Sequence, residues 1–200
     1  MCGMTRIEDI SHAIDLGVDA IGLIFYSKSS RYIDIKKATL LLKNKPPFLN
    51  AVAVLVNPVP KDVHSILDEI PIDLLQFHGD ESPEFCQQFN KPFIKAIQPT
   101  STPQITQQTS EFLQAQAILM DTPSNKARGG TGLTFDWSII PQDASRPYIL
   151  AGGLNQFNVN AAIRATHPYA VDVCSGIESL PGIKDHAKMD EFVAAIRGME

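Results

Sequence analysis

Residues 148–155 read YILAGGLN and residues 170–177 read AVDVCSGI, so two short apolar runs both lead into glycine. A run of apolar and branched residues that ends at turn residues is typical of a strand buried on both faces. Five similar runs come earlier in the chain. The seven runs cover residues 20–25, 50–56, 74–78, 93–97, 117–120, 148–151 and 170–173. The sequence therefore predicts seven buried strands that run parallel to one another.

Helical patterns lie between these runs. Apolar side chains recur at helical spacing over residues 7–14 and 35–42, and prolines at positions 60, 83 and 103 fall where a first helical turn is expected. Strands that alternate with helices indicate parallel strands joined by crossover helices. Two architectures fit this alternation, an open doubly wound sheet and a closed (β/α)₈ barrel.

The spacing of the strands favours the barrel. The seven strand starts between residues 20 and 170 have a mean spacing of 25 residues, so eight units account for all 200 residues. The eighth strand would come first in the chain, and we expect it to be shortened, with its last residues near Cys2 and Gly3. A helical pattern over residues 189–196 completes the last unit. We predict one α/β domain over residues 1–200, a (β/α)₈ TIM barrel with a truncated first strand. An open sheet of seven strands is the alternative.

The composition argues against several classes of function. The chain has 17 basic and 22 acidic residues, which leaves no net positive field to attract nucleic acid or an anionic membrane. The longest apolar run, residues 51–56, is far shorter than the roughly 20 residues that span a bilayer. Three cysteines without a CxxC pair indicate reduced thiols and a cytoplasmic protein. The histidines and cysteines lack metal-ligand spacing, so no metal is expected.

Glycines at two neighbouring strand ends predict a phosphate site. Active sites of such barrels lie at the carboxyl ends of the strands. Gly153 and Gly176 would let backbone N–H groups approach an anion closely, and a short helix starting near Ile177 would point its positive end at the same place. The alternative is that each glycine only serves a tight strand-to-helix turn.

Four other side chains at strand ends could carry chemistry, and each has a plainer explanation. Asp121 would place a carboxylate at the mouth of the barrel, or it caps the turn that follows it. Cys2 would face Asp121 across the barrel, or it is a frayed thiol. Arg31 could hold a carboxylate through two parallel hydrogen bonds, or it is solvated. His78 is equally consistent with a ligand and with a hydrogen-bonded wall residue.

A glycine-rich segment at residues 128–134, RGGTGLT, does not fit a nucleotide site. It lacks the lysine of a Walker loop and the third glycine of a dinucleotide fingerprint. We expect it to be a mobile loop over a site.

The motifs taken together resemble one family. They are CGMT at 2–5, GLIF at 22–25 with SRYI at 30–33, QFHG at 76–79, DT at 121–122, GGTG at 129–132 with FDW at 135–137, AGGL at 151–154 and VDVCSG at 171–176. In this set the chain resembles, nearly end to end, the phosphoribosylanthranilate isomerases of tryptophan biosynthesis. The resemblance implies a (β/α)₈ barrel that converts N-(5-phosphoribosyl)anthranilate into 1-(2-carboxyphenylamino)-1-deoxyribulose 5-phosphate by an Amadori rearrangement, without a cofactor.

The resemblance also implies roles for single residues. Cys2 matches the general base, Asp121 matches the general acid, and Arg31 matches the arginine that holds the anthranilate carboxylate. The residues that bind the substrate phosphate in this family match Gly153, Ser175 and Gly176. The candidate substrate-binding residues are Arg31, His78, Gly153, Asp172, Ser175 and Gly176.

Two alternatives to this function stay open. The chain could be a different phosphosugar isomerase on the same scaffold, such as a ribulose-phosphate epimerase. It could also be a non-catalytic or impaired phosphosugar-binding barrel, because the first strand is shortened. In either case we expect a small phosphosugar as the partner, a monomer, and neither nucleic acid nor membrane.

Overall fold

The computed structural model describes residues 1–122, 134–141 and 146–198. Within these residues, seven parallel strands form one sheet in which neighbours follow the chain order from β1 to β7. The strands are β1 (Ala20–Ile24), β2 (Asn50–Leu55), β3 (Leu74–Phe77), β4 (Phe93–Ile97), β5 (Ala117–Met120), β6 (Tyr148–Leu150) and β7 (Ala170–Val171). All seven predicted starts are confirmed. Five of the strands end one or two residues earlier than the apolar runs indicated.

Helices alternate with these strands. They are α1 (Ile7–Asp15), α2 (Ile35–Leu41), α3 (Pro60–Glu69), α4 (Pro83–Gln87), α5 (Thr102–Glu111), α6 (Val159–Thr166) and α7 (His186–Arg197). Side chains cap several of the starts, because the first N–H groups of a helix have no partner within it. Ser82 caps α4 and Asp185 caps α7, each by accepting a backbone N–H three residues later. The helix starts signalled by proline are confirmed in α3, α4 and α5.

Residues 1–4 lie between β1 and the chain that follows β7. On one side, Gly22 N donates to Met1 O at 2.9 Å and Met4 N donates to Gly22 O at 3.0 Å. On the other side, Cys2 N donates to Val173 O at 2.9 Å. These hydrogen bonds place residues 1–4 where the first strand was expected, and they anchor the backbone of Cys2.

Apolar side chains fill both faces of the sheet. The larger core joins the strands to the helices, and it includes Phe77, Met120 and Leu150. Two smaller clusters contain no helical residue, so they lie on the opposite face, inside the curled sheet. One of these clusters packs Cys2 against Val52 and Val54. The side chain of Cys2 therefore points into the barrel.

The segment after β7 differs from the expectation. A short helix was expected to start near Ile177, but a 3₁₀ turn over Ser175–Ile177 ends there instead. An antiparallel hairpin follows, made of β8 (Glu178–Leu180) and β9 (Ile183–Lys184). The hairpin forms because Pro181 and Gly182 make its turn, in which Gly182 adopts φ +81°, a left-handed conformation that glycine tolerates.

In the three segments for which the structure gives coordinates, no helix is long and apolar enough to cross a membrane.

Candidate active site

A cavity of about 400 Å³ lies at the carboxyl ends of the strands. Its lining includes most of the residues that the sequence singled out. These are Cys2, Arg31, His78, Asp121, Gly153, Asp172 and Ser175. Gly176 lies behind the cavity wall instead, where a Cβ atom would overlap the carbonyl oxygen of Leu154. The predicted mobile loop, apart from Thr134, lies outside the described residues.

Asp121 stands directly after β5, and its two carboxylate oxygens have different partners. Oδ1 accepts the backbone N–H of Thr122 at 2.8 Å, while Oδ2 is 3.1 Å from Nε2 of His78. On the other side of the imidazole, Nδ1 lies 3.0 Å from Nε2 of Gln76. If the Gln76 amide donates to Nδ1, the ring proton sits on Nε2 and points at Asp121. Asp121 therefore both caps its turn and faces the cavity.

Cys2 and Cys174 are free thiols that share a hydrogen bond. Donation to Cys174 raises the pKa of Cys2 well above its usual value, and burial and the charge of Asp172 raise it further. The same hydrogen bond lowers the pKa of Cys174; burial opposes this, but the charges of Lys184 and Arg31 reinforce it. Of the two thiols, Cys174 therefore loses its proton more readily than Cys2.

Arg31 is engaged by a carboxylate of the chain itself. Its Nε donates to Oε1 of Glu178 at 2.8 Å and its Nη2 donates to Oε2 at 2.7 Å, while Lys184 Nζ donates to Oε1 at 3.0 Å. Burial raises the pKa of Glu178, but the hydrogen bonds and charges of the two cations bring it below its usual value. The sequence predicted that this fork holds a substrate carboxylate. In the structure Nε and Nη2 donate to Glu178, so a substrate contact would use Nη1 or the second N–H of Nη2.

The two glycine-bearing loops meet at the other side of the cavity. Gly152 and Gly153 adopt φ +81° and +64°, backbone conformations that residues other than glycine rarely adopt. A Cβ at Gly152 would lie 2.9 Å from Oδ1 of Asp121 and 2.5 Å from the backbone N of Thr122. The loop that carries Gly153 therefore packs tightly against the turn that carries Asp121.

Sequence reasoning missed three residues of this site, Cys174, Glu178 and Lys184. Cys174 was visible only as part of a motif, and nothing in the sequence showed that it contacts Cys2. Glu178 and Lys184 are paired across the β8–β9 hairpin. The signal that could have found them is the Pro181-Gly182 turn, because a tight hairpin around it brings residues 178–180 beside residues 183–185. A register shift in β8 then places Glu178 opposite Lys184.

The family comparison agrees with this geometry. A family model described as N-(5'phosphoribosyl)anthranilate (PRA) isomerase matches residues 1–195 of the chain. The chain belongs to the phosphoribosylanthranilate isomerase family. Its relatives within this family include the N-(5'-phosphoribosyl)anthranilate isomerase of Legionella pneumophila strain Lens, which is 65% identical over 198 residues, covering 99% of this chain and 96% of the relative. The isomerase of Pseudomonas fluorescens strain SBW25 is 46% identical over 197 residues, 98% of this chain and 94% of that protein.

Solved structures of phosphoribosylanthranilate isomerases share the fold. The Thermotoga maritima enzyme superimposes with a TM-score of 0.91 at 35% identity, covering 99% of this chain and 97% of that one. An isomerase in complex with reduced 1-(o-carboxyphenylamino)-1-deoxyribulose 5-phosphate gives 0.87 at 34% identity, covering 98% and 96%. The predicted (β/α)₈ fold is confirmed by these matches. The chain is an isomerase of this family.

Proposed function

We propose that this chain catalyses the Amadori rearrangement of N-(5'-phosphoribosyl)anthranilate to 1-(2-carboxyphenylamino)-1-deoxyribulose 5-phosphate in tryptophan biosynthesis, without a cofactor. The observation that carries the proposal is one cavity that Asp121, Cys2, Arg31 and a glycine-bearing loop all line. Each of these groups suits a different part of the substrate. The related isomerase complex with a reduced product analogue supports the same substrate class.

The substrate would be held at its two anionic ends. The phosphate would lie against Gly153 and Ser175, where backbone N–H groups can approach an anion. The anthranilate carboxylate would lie near Arg31, whose guanidinium stays charged beside Glu178. The ribose ring then falls between Asp121 and Cys2. Asp172 and His78 complete the walls around it.

Asp121 would act first, as the general acid. Its carboxyl group delivers a proton to the ribose ring oxygen while the C1–O bond breaks and the nitrogen lone pair forms the protonated Schiff base. His78 contacts Oδ2 at 3.1 Å and Thr122 contacts Oδ1 at 2.8 Å. These two contacts fix the orientation of the carboxyl group, which general acid catalysis requires.

Cys2 would act second, as the general base. The cationic Schiff base acidifies the C2 proton, and the sulfur of Cys2 removes it while Cys2 gives up its own proton. The C–H electron pair moves to C1=C2 and the nitrogen recovers its lone pair, which gives an enolamine that tautomerises to the ketose. The sequence of steps is redox-neutral, so no external electron acceptor is needed.

Turnover and binding measured side by side test the proposal. The purified chain is incubated with N-(5'-phosphoribosyl)anthranilate, and the product is identified by NMR, with ribulose 5-phosphate as the control substrate. Calorimetry with reduced 1-(o-carboxyphenylamino)-1-deoxyribulose 5-phosphate measures binding. We expect the ketose product and tight binding of the analogue. Binding without turnover would show that the chain is a non-catalytic phosphosugar-binding barrel. Epimerisation of ribulose 5-phosphate would show that it is a ribulose-phosphate epimerase instead.

The cytoplasmic location, the monomeric state and the single domain stay predictions from the sequence.

A further inference from the structure

The proposed base has a second thiol as its immediate partner. Cys174 packs against the small cluster of Cys2, Val52 and Val54, a side-chain hydrogen bond joins the two thiols, and both line the same cavity. The two residues come from opposite ends of the chain. Cys2 is anchored by its backbone N–H to Val173 O at 2.9 Å, so the two thiols meet where residues 1–4 pack against the segment after β7.

The cationic groups around the two thiols lie closer to Cys174 than to Cys2. Lys184 of β9 has its Nζ 4.0 Å from Sγ of Cys174 and 3.0 Å from the carbonyl oxygen of the same residue. Arg31, from the loop after β1, lies on the same side, because Cδ of Arg31 and Sγ of Cys174 both border Gly3. Cations at this distance favour a thiolate on Cys174.

Negative charges lie on the other side or are already balanced. Asp172, two residues before Cys174 in the chain, acts on Cys2 and disfavours a thiolate there. The amino terminus lies 4.0 Å from Asp172 Oδ1. Glu178 of β8 faces Cys174 but is bound by Arg31 and Lys184, at 2.7 and 3.0 Å. The surrounding charges thus favour loss of a proton from Cys174 and retention of a proton on Cys2.

From this arrangement we infer that Cys174 is the proton partner of Cys2, a positioning residue that accepts the Cys2 proton as Cys2 removes the C2 proton of the substrate. The inference rests on the proposed function, because it assigns Cys174 to a step in which Cys2 is the base. It also explains how Cys2 can act as the base although its pKa is raised, because its own proton moves to Cys174 in the same step.

The step balances as a two-proton relay. The Cys2 S–H bond breaks and a Cys174 S–H bond forms, while the substrate C2–H bond breaks and a new Cys2 S–H bond forms. The C–H electron pair moves into the C1=C2 bond and the iminium electrons return to nitrogen. Cys174 starts as thiolate and ends as thiol. As the ketose forms, Cys2 protonates carbon C1 and the Cys174 proton moves back to Cys2, which resets the pair. The C2 hydroxyl proton passes to the Asp121 carboxylate and replaces the proton that Asp121 gave to the ring oxygen.

The first experiment locates the thiolate without using activity. The protein is alkylated with iodoacetamide over a range of pH, and the rate at each cysteine is measured by mass spectrometry of peptides. The midpoint of the pH dependence is compared rather than the rate, because Cys2 and Cys174 differ in exposure. We expect Cys174 to have a midpoint below about 8.5, the value of an unperturbed thiol, and we expect Cys2→Ala to raise it, because alanine removes the hydrogen-bond donor that serine would keep. An unchanged Cys174 midpoint in Cys2→Ala would overturn the inference.

The second experiment follows kcat/KM against pH in Cys174→Ser and Cys174→Ala. Without the partner thiolate, Cys2 must lose its own proton to solvent, so the ascending limb should move up by about one pH unit. Activity should then fall about tenfold near neutral pH and recover in alkali. An unchanged profile, or an equal loss at every pH, would overturn the inference. Two variants are made so that one remains if the other fails to fold.

Cys86→Ala is the matched control for both experiments. Cys86 is buried in the large core and does not line the cavity. Burial raises its pKa to about 12, so it stays protonated over the range tested. In Cys86→Ala, the alkylation midpoints of Cys2 and Cys174 and the pH dependence of kcat/KM should both stay unchanged. Failure of the proposed function gives a different result. If Cys2→Ser keeps its turnover, Cys2 is not the base, and this conclusion does not depend on the results for Cys174.

Discussion

Replacing Glu178 by glutamine tests how the buried charges at the edge of the cavity hold Arg31. The carboxylate accepts from Arg31 Nε and Nη2 at 2.8 and 2.7 Å and from Lys184 Nζ at 3.0 Å, and the side chain is 5% exposed. Breaking a buried pair by removing one charge typically costs 3–5 kcal/mol. Because the amide keeps one acceptor oxygen, we expect a loss of about 3 kcal/mol in the free energy of unfolding.

The loss should depend on pH in a defined direction. The folded protein holds the pKa of Glu178 below its usual value, so its carboxylate stabilises the fold above the unfolded pKa of about 4.3. That stability is lost as the pH falls through the folded pKa. Urea unfolding of both proteins should therefore show the largest difference near neutral pH and a smaller one in acid. A difference below about 1 kcal/mol, or one that is equal at neutral and acid pH, would refute the reasoning.

The same substitution should affect the substrate. Without its carboxylate partner, Arg31 loses the restraint on its guanidinium, and we expect KM to rise about tenfold, which is about 1.4 kcal/mol of binding free energy. Glu81→Gln is the matched control, because Glu81 pairs with buried Lys95 at 2.9 Å but does not line the cavity. It should lose stability and keep its KM. A lower KM in Glu178→Gln would mean that Glu178 competes with the substrate for Arg31.

Three further predictions concern the acid and the base. Asp121→Asn should lower kcat by about 10² to 10⁴, because an amide cannot deliver the proton. If steady-state kinetics show that the variant keeps more than about a tenth of kcat, Asp121 is not the general acid. Gly152→Ala should lower both the melting temperature and kcat, because its Cβ would lie 2.9 Å from Asp121 Oδ1 at positive φ. Gly22→Ala should lower kcat/KM, because its Cβ would lie 2.7 Å from Cys2 Sγ; an unchanged value would show that Cys2 can move without loss.

The strands were predictable because a sheet covered on both faces leaves a direct mark on the sequence. Each strand of such a sheet is a continuous apolar run, and turn residues follow it. Leu119 and Met120, for example, point to opposite faces of β5, and both are buried. The strand ends were less accurate, since the apolar character of residues such as Val173 continues past the last ladder hydrogen bond. The hairpin after β7 was missed because a helix was expected from the glycine motif.

Contacts within the site were less predictable because they depend on register. The sequence showed that His78 and Asp121 each follow a strand, but β4 lies between those two strands and the contact joins residues 43 apart in the chain. The pairing of Arg31 with Glu178 spans 147 residues and was not predicted from the sequence. The contact between Cys2 and Cys174 exists only because residues 1–4 pack beside the segment after β7. Residue type and position along a strand therefore indicated the chemistry of the site, whereas its partners required the fold.

The most direct test of the account is turnover of N-(5'-phosphoribosyl)anthranilate that carries deuterium at ribose C2. The account predicts that the chain forms the ketose product, that the deuterated substrate reacts more slowly than the ordinary one in kcat/KM, and that Cys2→Ser forms no product from either. Asp121→Asn, assayed in parallel in the same buffer, should show kcat lowered by about 10² to 10⁴. A chain that forms no ketose, or a Cys2→Ser variant that converts both substrates at the rate of the unmodified protein, would contradict it.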